Sequence, residues 1–291
     1  YMMGGKGVKW YGNLDKVILW ENDGKVVKEF KGSVVRNERF FRRKGISWKR
    51  ITSSENTIRY LPENFIFDQS ADSLFPKSDG MFNYLLGIFN SKVIYSLLEI
   101  FSATLNLTSG SVSDIPIVFS EKNKTKIDEL VIDCISISKK NWDMHETSWD
   151  FKYSPLLANK SDGLIASAYE SYKTQVNERF MKLKENEEEL NRIFIEIYGL
   201  GDELTSDVLD KDITVAKIFD KKEDIDEGIK GNKYIMTRED VVKNYLSYFV
   251  GCLMGRYSLD VEGLAYAGGD FDLDKYSSFN VDVDGVLPLT D

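Results

Sequence analysis

Basic and aromatic residues alternate in one short segment of this chain. Arg and Lys bind the phosphates of a nucleic acid, and flat aromatic rings contact its sugars and bases. Residues 36–60, here called the basic segment, contain eight basic side chains against two acidic ones. The basic residues are Arg36, Arg39, Arg42, Arg43, Lys44, Lys49, Arg50 and Arg59, and the interleaved aromatic residues are Phe40, Phe41, Trp48 and Tyr60. The pattern favours binding of a polyanion.

The charge of the chain is polarised. Residues 1–60 carry 14 Lys and Arg against 6 Asp and Glu, whereas residues 61–291 carry 24 against 41, and the whole chain is at −9. An acidic bulk repels DNA, so contact with a nucleic acid should be confined to the basic N-terminal part. A second interpretation stays open, because Lys and Arg also protect edge strands from aggregation.

A polar loop offers a second, weaker set of contacts. Residues 106–111 read NLTSGS and follow a long apolar run. Backbone N–H groups and hydroxyls donate to phosphates, although loops of this composition are also ordinary connectors. The candidates are Asn106, Thr108, Ser109 and Ser111.

Two carboxylates near a lysine suggest a third chemistry, metal-dependent cleavage of a phosphodiester. Asp23 and Glu29 would hold a magnesium ion while Lys31 polarises the attacked phosphate. Such triplets arise often by chance in charged strands. The single histidine, His145, leaves almost no material for histidine metal sites or for Ser-His and Cys-His dyads. We therefore assign no catalytic, metal-binding or cofactor-binding residue in this chain.

The elements that must position these residues begin with a β-rich part. Short strands are predicted at residues 17–20, 26–30, 39–42, 58–60 and 65–67. Asn22, Asp23 and Gly24 lie between the first two runs and predict a hairpin turn. The apolar run 81–103 predicts one buried helix, and residues 115–119 a further short strand.

The rest of the chain has the pattern of helices. Residues 121–126 form a charged boundary before a helix at 127–139, and a helix is predicted at 241–256. Apolar residues three and four apart predict a helix from Ile165 to Ile197, about 50 Å long at 1.5 Å per residue. Its apolar period is interrupted at Glu187, and Glu187, Glu188 and Glu189 are predicted to be solvated. The predicted fold class is α+β, with a β-rich domain containing a buried helix at 1–125 and a mainly α-helical domain at 126–291.

The location of the protein is predicted from two sequence features that are absent. No signal peptide opens the chain, and no apolar run is long enough to span a bilayer. Cys134 and Cys252 lie far apart in apolar segments, so two buried thiols in a reducing compartment are expected. These signs predict a cytoplasmic protein, and the glycine-punctuated start reads as the interior of a longer one.

Several motifs, in a fixed order, resemble a known family. The order runs from residues 4–5 (GG), 10–13 (WYGN) and 20–24 (WENDG) through 45–68 (GISWKRITSSENTIRYLPENFIFD), 73–76 (SLFP), 84–93 (YLLGIFNSKV) and 113–117 (SDIPI) to 146–151 (ETSWDF), 186–194 (NEEELNRIF), 197–199 (IYG), 255–259 (GRYSL) and 262–269 (EGLAYAGG). Together they resemble the target-recognition region of type IIG-like adenine-N6 DNA methyltransferases, in particular those of bacteriophage-exclusion (BREX) defence systems. The resemblance covers essentially the whole chain.

The resemblance implies a function and also a missing part. Such enzymes carry an N-P-P-Y/F motif for the flipped adenine and a glycine-rich motif for S-adenosylmethionine, and this sequence contains neither. The resemblance therefore implies that residues 1–125 bind double-stranded DNA for a methyltransferase domain outside this chain, in restriction-modification or phage defence. S-adenosylmethionine would be the cofactor of the parent enzyme, and no cofactor is expected here. Partners would be the methyltransferase domain in cis and other defence proteins.

One alternative keeps the same residues but changes their role. The chain would be a protein-interaction module, with acidic helices that dock partner proteins and a basic segment buried against the absent catalytic domain. An exposed basic segment that binds DNA favours the first hypothesis, and a patchy, apolar one favours the second.

Overall fold

Two compact units are seen in the computed structural model, which describes residues 1–49, 58–101, 108–159 and 162–282. Unit 1 comprises Tyr1–Lys139 and Lys182–Thr214, and unit 2 comprises Lys140–Met181 and Val215–Asp291. Unit 1 combines a small antiparallel sheet with helices, whereas helices dominate unit 2. The predicted α+β class is confirmed. The domain boundary predicted at residue 125 falls inside a helix, and that division remains a proposal.

The elements follow one another along the chain with few long connections. Unit 1 holds α1 (Glu21–Glu29), β1 (Gly45–Lys49), β2 (Arg59–Leu61), β3 (Ala71–Leu74), α2 (Phe82–Phe89), α3 (Lys92–Phe101) and α4 (Ser109–Ser113). The helices α5 (Glu121–Asp143) and α7 (Ile165–Tyr198) contribute residues to both units. Unit 2 adds α6 (Pro155–Ala158), β4 (Lys217–Phe219), β5 (Ile235–Thr237) and α8 (Arg238–Leu253).

The sheet of unit 1 has the order β2-β1-β3, with both pairs antiparallel. Ile46 lies opposite Tyr60 on one side and Leu74 on the other. Trp10 extends the β2 edge, since its N–H donates to Ile58 O at 3.0 Å and its carbonyl accepts from Tyr60 N at 2.8 Å. The strand predicted at 58–60 is therefore confirmed within one residue.

The hairpin predicted around residues 22–24 is wrong. Asn22, Asp23 and Gly24 have φ of 50°, 56° and 72°, so the turn chemistry is present, but all three residues are left-handed. The chain leaves this turn in the helical conformation of α1, and residues 17–20 have no regular structure. Gly24 is required, because a Cβ there would lie 2.8 Å from the Trp20 ring.

Two further strand predictions are also wrong. Residues 38–40 form a 3₁₀ turn where a strand was predicted from residue 39 to 42. Residues 115–119 form no strand, because the Tyr198 hydroxyl holds them, donating to Pro116 O at 2.7 Å and accepting from Val118 N at 2.9 Å. Residues 65–67 contribute only a bridge between Phe67 and Met2. Side-chain hydrogen bonds and single bridges replace the ladders that the pattern predicted.

The buried apolar run is two helices instead of one. Asn90 donates from its side chain to Leu86 O at 3.1 Å, and the Ser91 hydroxyl donates to Ile88 O at 2.6 Å. Side chains that bond to preceding carbonyls compete with the helix backbone and end α2 here. The free N–H of Lys92, at the start of α3, donates to Asn191 Oδ1 of α7 at 2.9 Å.

The long helix α7 is confirmed, and the interruption in its apolar period has a structural cause. Glu187 is only 4% exposed and lies in the core of unit 1. Its Oε1 accepts from Trp10 Nε1 at 2.7 Å, and its Oε2 accepts from Lys9 Nζ at 2.8 Å. Glu188 accepts from Val208 N at 3.1 Å. The prediction that residues 187–189 are all solvated is therefore wrong for Glu187, which binds the N-terminal segment to α7.

Asp220 gathers three donors inside unit 2. Its carboxylate accepts from Tyr169 Oη and from Arg238 Nη2, each at 2.8 Å, and from Lys173 Nζ. These bonds, that from Lys173 foremost, hold the pKa of Asp220 well below its usual value of 3.8. The carboxylate thus links α7 to the first residue of α8.

We expect Asp220→Asn to destabilise the protein most near neutral pH. Because the folded-state pKa is depressed, the carboxylate's contribution is complete above the unfolded pKa of about 3.8 and is lost as the pH falls toward the folded pKa. Urea unfolding at pH 7, 4 and 3 should show the gap between wild type and variant narrowing in acid. A gap that stays constant over this range would contradict the assignment.

None of the helices among the described residues is long and apolar enough to cross a membrane.

Candidate nucleic-acid interface

A row of aromatic rings supports the basic segment. Phe40 stacks on Phe75 with ring centroids 4.8 Å apart and planes at 14°. Phe75 contacts Phe67 at 5.6 Å, Phe67 contacts Phe41 at 5.2 Å, and Phe41 contacts Trp20 at 5.6 Å. We call these five residues the aromatic row. It anchors residues 38–41 to the end of β3 through ring contacts instead of strand pairing.

Two arginines lie against the exposed end of this row. Arg39 Cζ is 4.8 Å from the Phe40 ring centroid, and Arg43 Cζ is 5.5 Å from the same ring and 5.9 Å from that of Phe75. Lys44 Nζ lies 4.6 Å from the Phe82 ring. Cation–π contacts of this kind restrict a guanidinium while its N–H edge stays available. Arg39 and Arg43 are therefore partly ordered before any ligand binds.

The cations of the basic segment lie at the surface of unit 1. Arg36, Arg39, Arg42 and Arg43 are exposed, and Lys44 is half-buried. Among the described residues, no carboxylate forms an ion pair with any of these five. Unpaired cations on one surface are what a phosphate backbone binds.

Lys28 neutralises the carboxylates nearest to the basic segment. Its Nζ lies 2.9 Å from Asp23 Oδ2 and 3.1 Å from Glu38 Oε1. The hydrogen bond from Lys28 lowers the pKa of Asp23, and those from Asp23 and Glu38 raise the pKa of Lys28. These acids are therefore paired with Lys28, and the charge of Arg42 adds to the lowering of the Asp23 pKa.

The backbone at Arg42 fixes the register of the basic segment. Arg42 has φ of 64°, its N–H donates to Phe65 O at 2.8 Å, and its carbonyl accepts from Asn64 N at 3.1 Å. A left-handed conformation is rare for arginine, and here two backbone hydrogen bonds maintain it. This turn separates the side chains of residues 39 and 43 from the sheet that follows.

Two sequence candidates are buried, and their assignment to DNA contact is wrong. Arg59 is 0% exposed, donating from Nη2 to Gly4 O at 3.0 Å and to Met3 O. Trp48 is 2% exposed and lies in β1, opposite Asp72. The side chains on one face of this sheet form the core, so neither group reaches a duplex.

The remaining candidates fall in three places. Lys49 ends β1 and is half-buried, whereas Arg50 and Asn106 lie outside the described residues. Thr108 caps α4, since its Oγ1 accepts from Ser111 N at 3.2 Å and lies 3.0 Å from Ser111 Oγ. Ser109 is exposed. The hydroxyls of Thr108 and Ser111 are therefore committed to the cap, and Ser109 is the better contact of the three.

The nuclease candidates are not assembled into a metal site. Asp23 is paired with Lys28, and Glu29 Oε1 lies 4.0 Å from Lys25 Nζ. Among the described residues, no group of three or more His, Cys, Asp or Glu side chains could hold a metal ion. The arrangement gives no geometric support to cleavage chemistry at Asp23, Glu29 and Lys31.

Gly45 lets Phe75 pack across the first residue of β1. A Cβ at Gly45 would lie 2.8 Å from Phe75 Cε1 and 3.1 Å from Leu74 O. Gly45→Ala should therefore displace Phe75, lower the free energy of unfolding by about 1–3 kcal/mol and loosen the aromatic row. Urea unfolding measures the loss. Gly201→Ala is the matched control, because a Cβ there has no atom within 4 Å, and equal behaviour of the two variants would contradict this packing.

Comparison with known proteins identifies the origin of the segment. No protein-family model matches the chain. The adenine-specific methyltransferase PglX of Lacticaseibacillus casei (strain Zhang) is 35% identical over 302 residues, which cover 100% of this chain and 24% of that protein. This chain is homologous to a segment of the PglX methyltransferases. The adenine-specific methyltransferase BrxX of Escherichia coli O9:H4 (strain HS) is 33% identical over 298 residues, covering 99% of this chain and 24% of that protein.

The resemblance drawn from the ordered motifs is thereby confirmed, and the chain spans about a quarter of the length of PglX and BrxX. The structure shows that several of these motifs are core contacts. Trp10 of the WYGN motif donates to Glu187 of the NEEEL motif in unit 1. In unit 2, Tyr257 of the GRYSL motif donates to Glu146 at 3.1 Å and lies 5.4 Å from Phe151, both of the ETSWDF motif. The exposed candidates Arg36, Arg39, Arg42 and Arg43 lie between the motifs at 20–24 and 45–68.

Proposed function

We propose that unit 1 is a DNA target-recognition module of an adenine-specific methyltransferase whose catalytic part lies in the remainder of the longer protein. One observation carries the proposal: Arg39 and Arg43 are exposed, form no ion pair with a described residue, and lie against the Phe40 ring at the surface of an otherwise acidic chain. Arg39 and Arg43 are the candidates for bidentate contact with guanine, because the guanidinium fork matches its O6 and N7. Arg36, Arg42 and Lys44 would contact phosphates.

The chemistry of methylation belongs to the part of the protein that this sequence does not include. Neither the N-P-P-Y/F motif nor the glycine-rich cofactor motif occurs in these 291 residues. S-adenosylmethionine would bind the parent enzyme elsewhere, and this module would deliver the target adenine to it. We infer that the parent protein acts in the bacterial cytoplasm, in phage defence or restriction-modification, with other defence proteins as further partners.

The proposal is tested by the salt dependence of DNA binding. The chain should bind a fluorescent 20-base-pair duplex weakly, and the logarithm of its affinity should fall linearly with the logarithm of salt concentration, with a slope of about −0.9 for each phosphate neutralised. Fluorescence anisotropy between 50 and 200 mM salt measures this slope, which should be about −3 for the three proposed phosphate contacts. Affinity that is absent at 50 mM salt, or independent of salt, would refute it.

A second candidate, protein interaction, is supported by residues beside the basic segment. Val17, Leu19 and Val26 are exposed large apolar side chains, as are Phe30 and Val34. Phosphates offer no apolar surface to such side chains, so they fit a protein better than DNA. Binding of the chain to the separately produced remainder of the protein, with no binding to duplex DNA, would favour this second function over the first.

A further inference from the structure

The helix α8 of unit 2 is apolar on its buried face and also on an exposed face beside it. Val241, Tyr248 and Cys252 are buried against unit 2. A second set, spaced i, i+4, i+7 and i+8, forms one continuous stripe on a different face because α-helical residues at this spacing lie side by side. This set, here called the α8 stripe, consists of Val242, Leu246, Phe249 and Val250, which are 42%, 51%, 47% and 43% exposed.

The α8 stripe is not the ordinary solvent face of the helix. The polar side chains of α8 lie elsewhere: Lys243 is exposed, and Asn244 and Ser247 line a cavity of unit 2. Lys243 forms an i,i+4 ion pair with Glu239 at 2.6 Å, as expected of a surface in water. A surface helix normally has one apolar stripe and one polar face. A second apolar stripe indicates a second packing partner.

We infer that an amphipathic helix of the same polypeptide, outside these 291 residues, packs on the α8 stripe. Four large apolar side chains in this arrangement form a ridge of the kind that interdigitates with a second helix. The stripe carries no charge of its own, so a nucleic acid has nothing to bind there. Homologous proteins are about four times as long as this chain, so most of their sequence lies outside the segment that matches it.

A second copy of the chain is a weaker occupant. The 16 residues of α8 span about 24 Å, and a stripe about 10 Å wide covers on the order of 300 Å². A stable dimer buries about 800 Å² on each partner. A segment of the same chain needs less area, because its effective concentration is in the millimolar range. The inference rests on the homology with longer proteins and not on DNA binding by unit 1.

The test compares one side chain in two contexts. Leu246→Cys should react with a maleimide at the rate of an exposed thiol in the 291-residue chain and at least tenfold more slowly in the full-length protein. Mass spectrometry of the labelled peptide measures both rates. Leu164→Cys is the control, since Leu164 is 62% exposed at the start of α7 in the same unit, and its rate should be equal in both contexts. Cys134 and Cys252 are buried and contribute little background.

Two outcomes would overturn the inference. Equal labelling of Leu246→Cys in both proteins would show that the stripe stays open. Slow labelling in the short chain that depends on protein concentration would assign the stripe to a second copy.

The double variant Leu246→Glu with Phe249→Glu gives an independent measurement: it should lower the melting temperature of the full-length protein by more than about 5 °C and that of the short chain by less than about 2 °C. Neither measurement uses DNA, so a failure of the DNA proposal would be seen separately.

Discussion

Replacing Arg39, Arg42 and Arg43 together with alanine should weaken binding of this chain to duplex DNA by about 100- to 1000-fold at 50 mM salt. Each arginine is exposed and has no carboxylate partner among the described residues. A charge-assisted hydrogen bond contributes about 1.5–3 kcal/mol, and part of that is recovered by water when the contact is lost. The salt slope should fall in magnitude by about 1, since Arg42 is the one proposed phosphate contact among the three.

The control for this triple variant must remove the same charge elsewhere in unit 1. Lys122, Lys126 and Lys211 are exposed and lie outside the basic segment. Their triple alanine variant also lowers the net charge by three but should change affinity by less than about threefold, because long-range repulsion is screened beyond about 10 Å at 0.1 M salt. Equal losses in the two triple variants would show that net charge alone controls binding, and the basic segment would lose its assigned role.

The single alanine variants of these three arginines should change DNA binding in different ways. Arg39 and Arg43 are held by Phe40, so their loss should reduce the preference for the cognate duplex over a scrambled one. Arg42 is held through its backbone and has no ring contact among the described residues, so its loss should weaken all duplexes alike. Anisotropy titrations with both duplexes measure this difference for each single alanine variant.

The sequence predicted α7 to within one residue because its signal is repeated many times, whereas α5 begins at Glu121, six residues before its predicted start. The helix α7 extends over 34 residues, and nine apolar positions at helical spacing specify it. The helix α8 has a capping box, in which Thr237 and Asp240 bond to each other's backbone, and this signal is local as well. Local signals of this kind do not depend on distant parts of the chain.

The N-terminal part was harder to predict because long-range contacts decide its structure. Residues 17–42 have the composition of strands, yet the aromatic row holds them in turns and a short helix. Phe40 and Phe75 stack although they are 35 positions apart, and no pattern within either segment predicts this contact. Charge alone likewise cannot separate Arg43 on the surface from Arg59 in the core. Only the course of the backbone places Arg59 beside the carbonyls of residues 3 and 4.

Glu187 is a second case in which long-range contacts limit prediction from sequence. A charged residue that interrupts an apolar helical face reads as a solvated position, and two of three neighbouring glutamates are partly exposed. The interruption was itself the signal, because a buried carboxylate must have partners. Its partners, Lys9 and Trp10, lie 178 and 177 positions away. The sequence therefore could not identify these partners. It could predict that a buried Glu187 requires some partner.

Glu187→Ala should lower the free energy of unfolding of unit 1 by about 3–5 kcal/mol. The substitution leaves the Lys9 ammonium, which is 14% exposed, and the buried Trp10 indole without their acceptor. Removing one partner of a buried ion pair costs this much, because the other charge stays in the interior without compensation. The N-terminal segment should then detach from α7, which hydrogen exchange at residues 8–11 would detect as faster exchange of the Trp10 amide.

Two further variants separate the charge from the hydrogen bond. Glu187→Gln keeps an acceptor for Trp10 but not the charge for Lys9, so its loss should lie between wild type and alanine. Combining Glu187→Leu with Lys9→Met removes both charges and should recover much of the stability lost by Glu187→Ala, since an apolar pair often replaces a buried ion pair at little cost. Glu189→Ala on the same helix is the control, because Glu189 pairs with Arg192 at the surface and should contribute less than about 1 kcal/mol. If Glu187→Ala and Glu189→Ala unfold at the same urea concentration, Glu187 does not anchor the N-terminal segment.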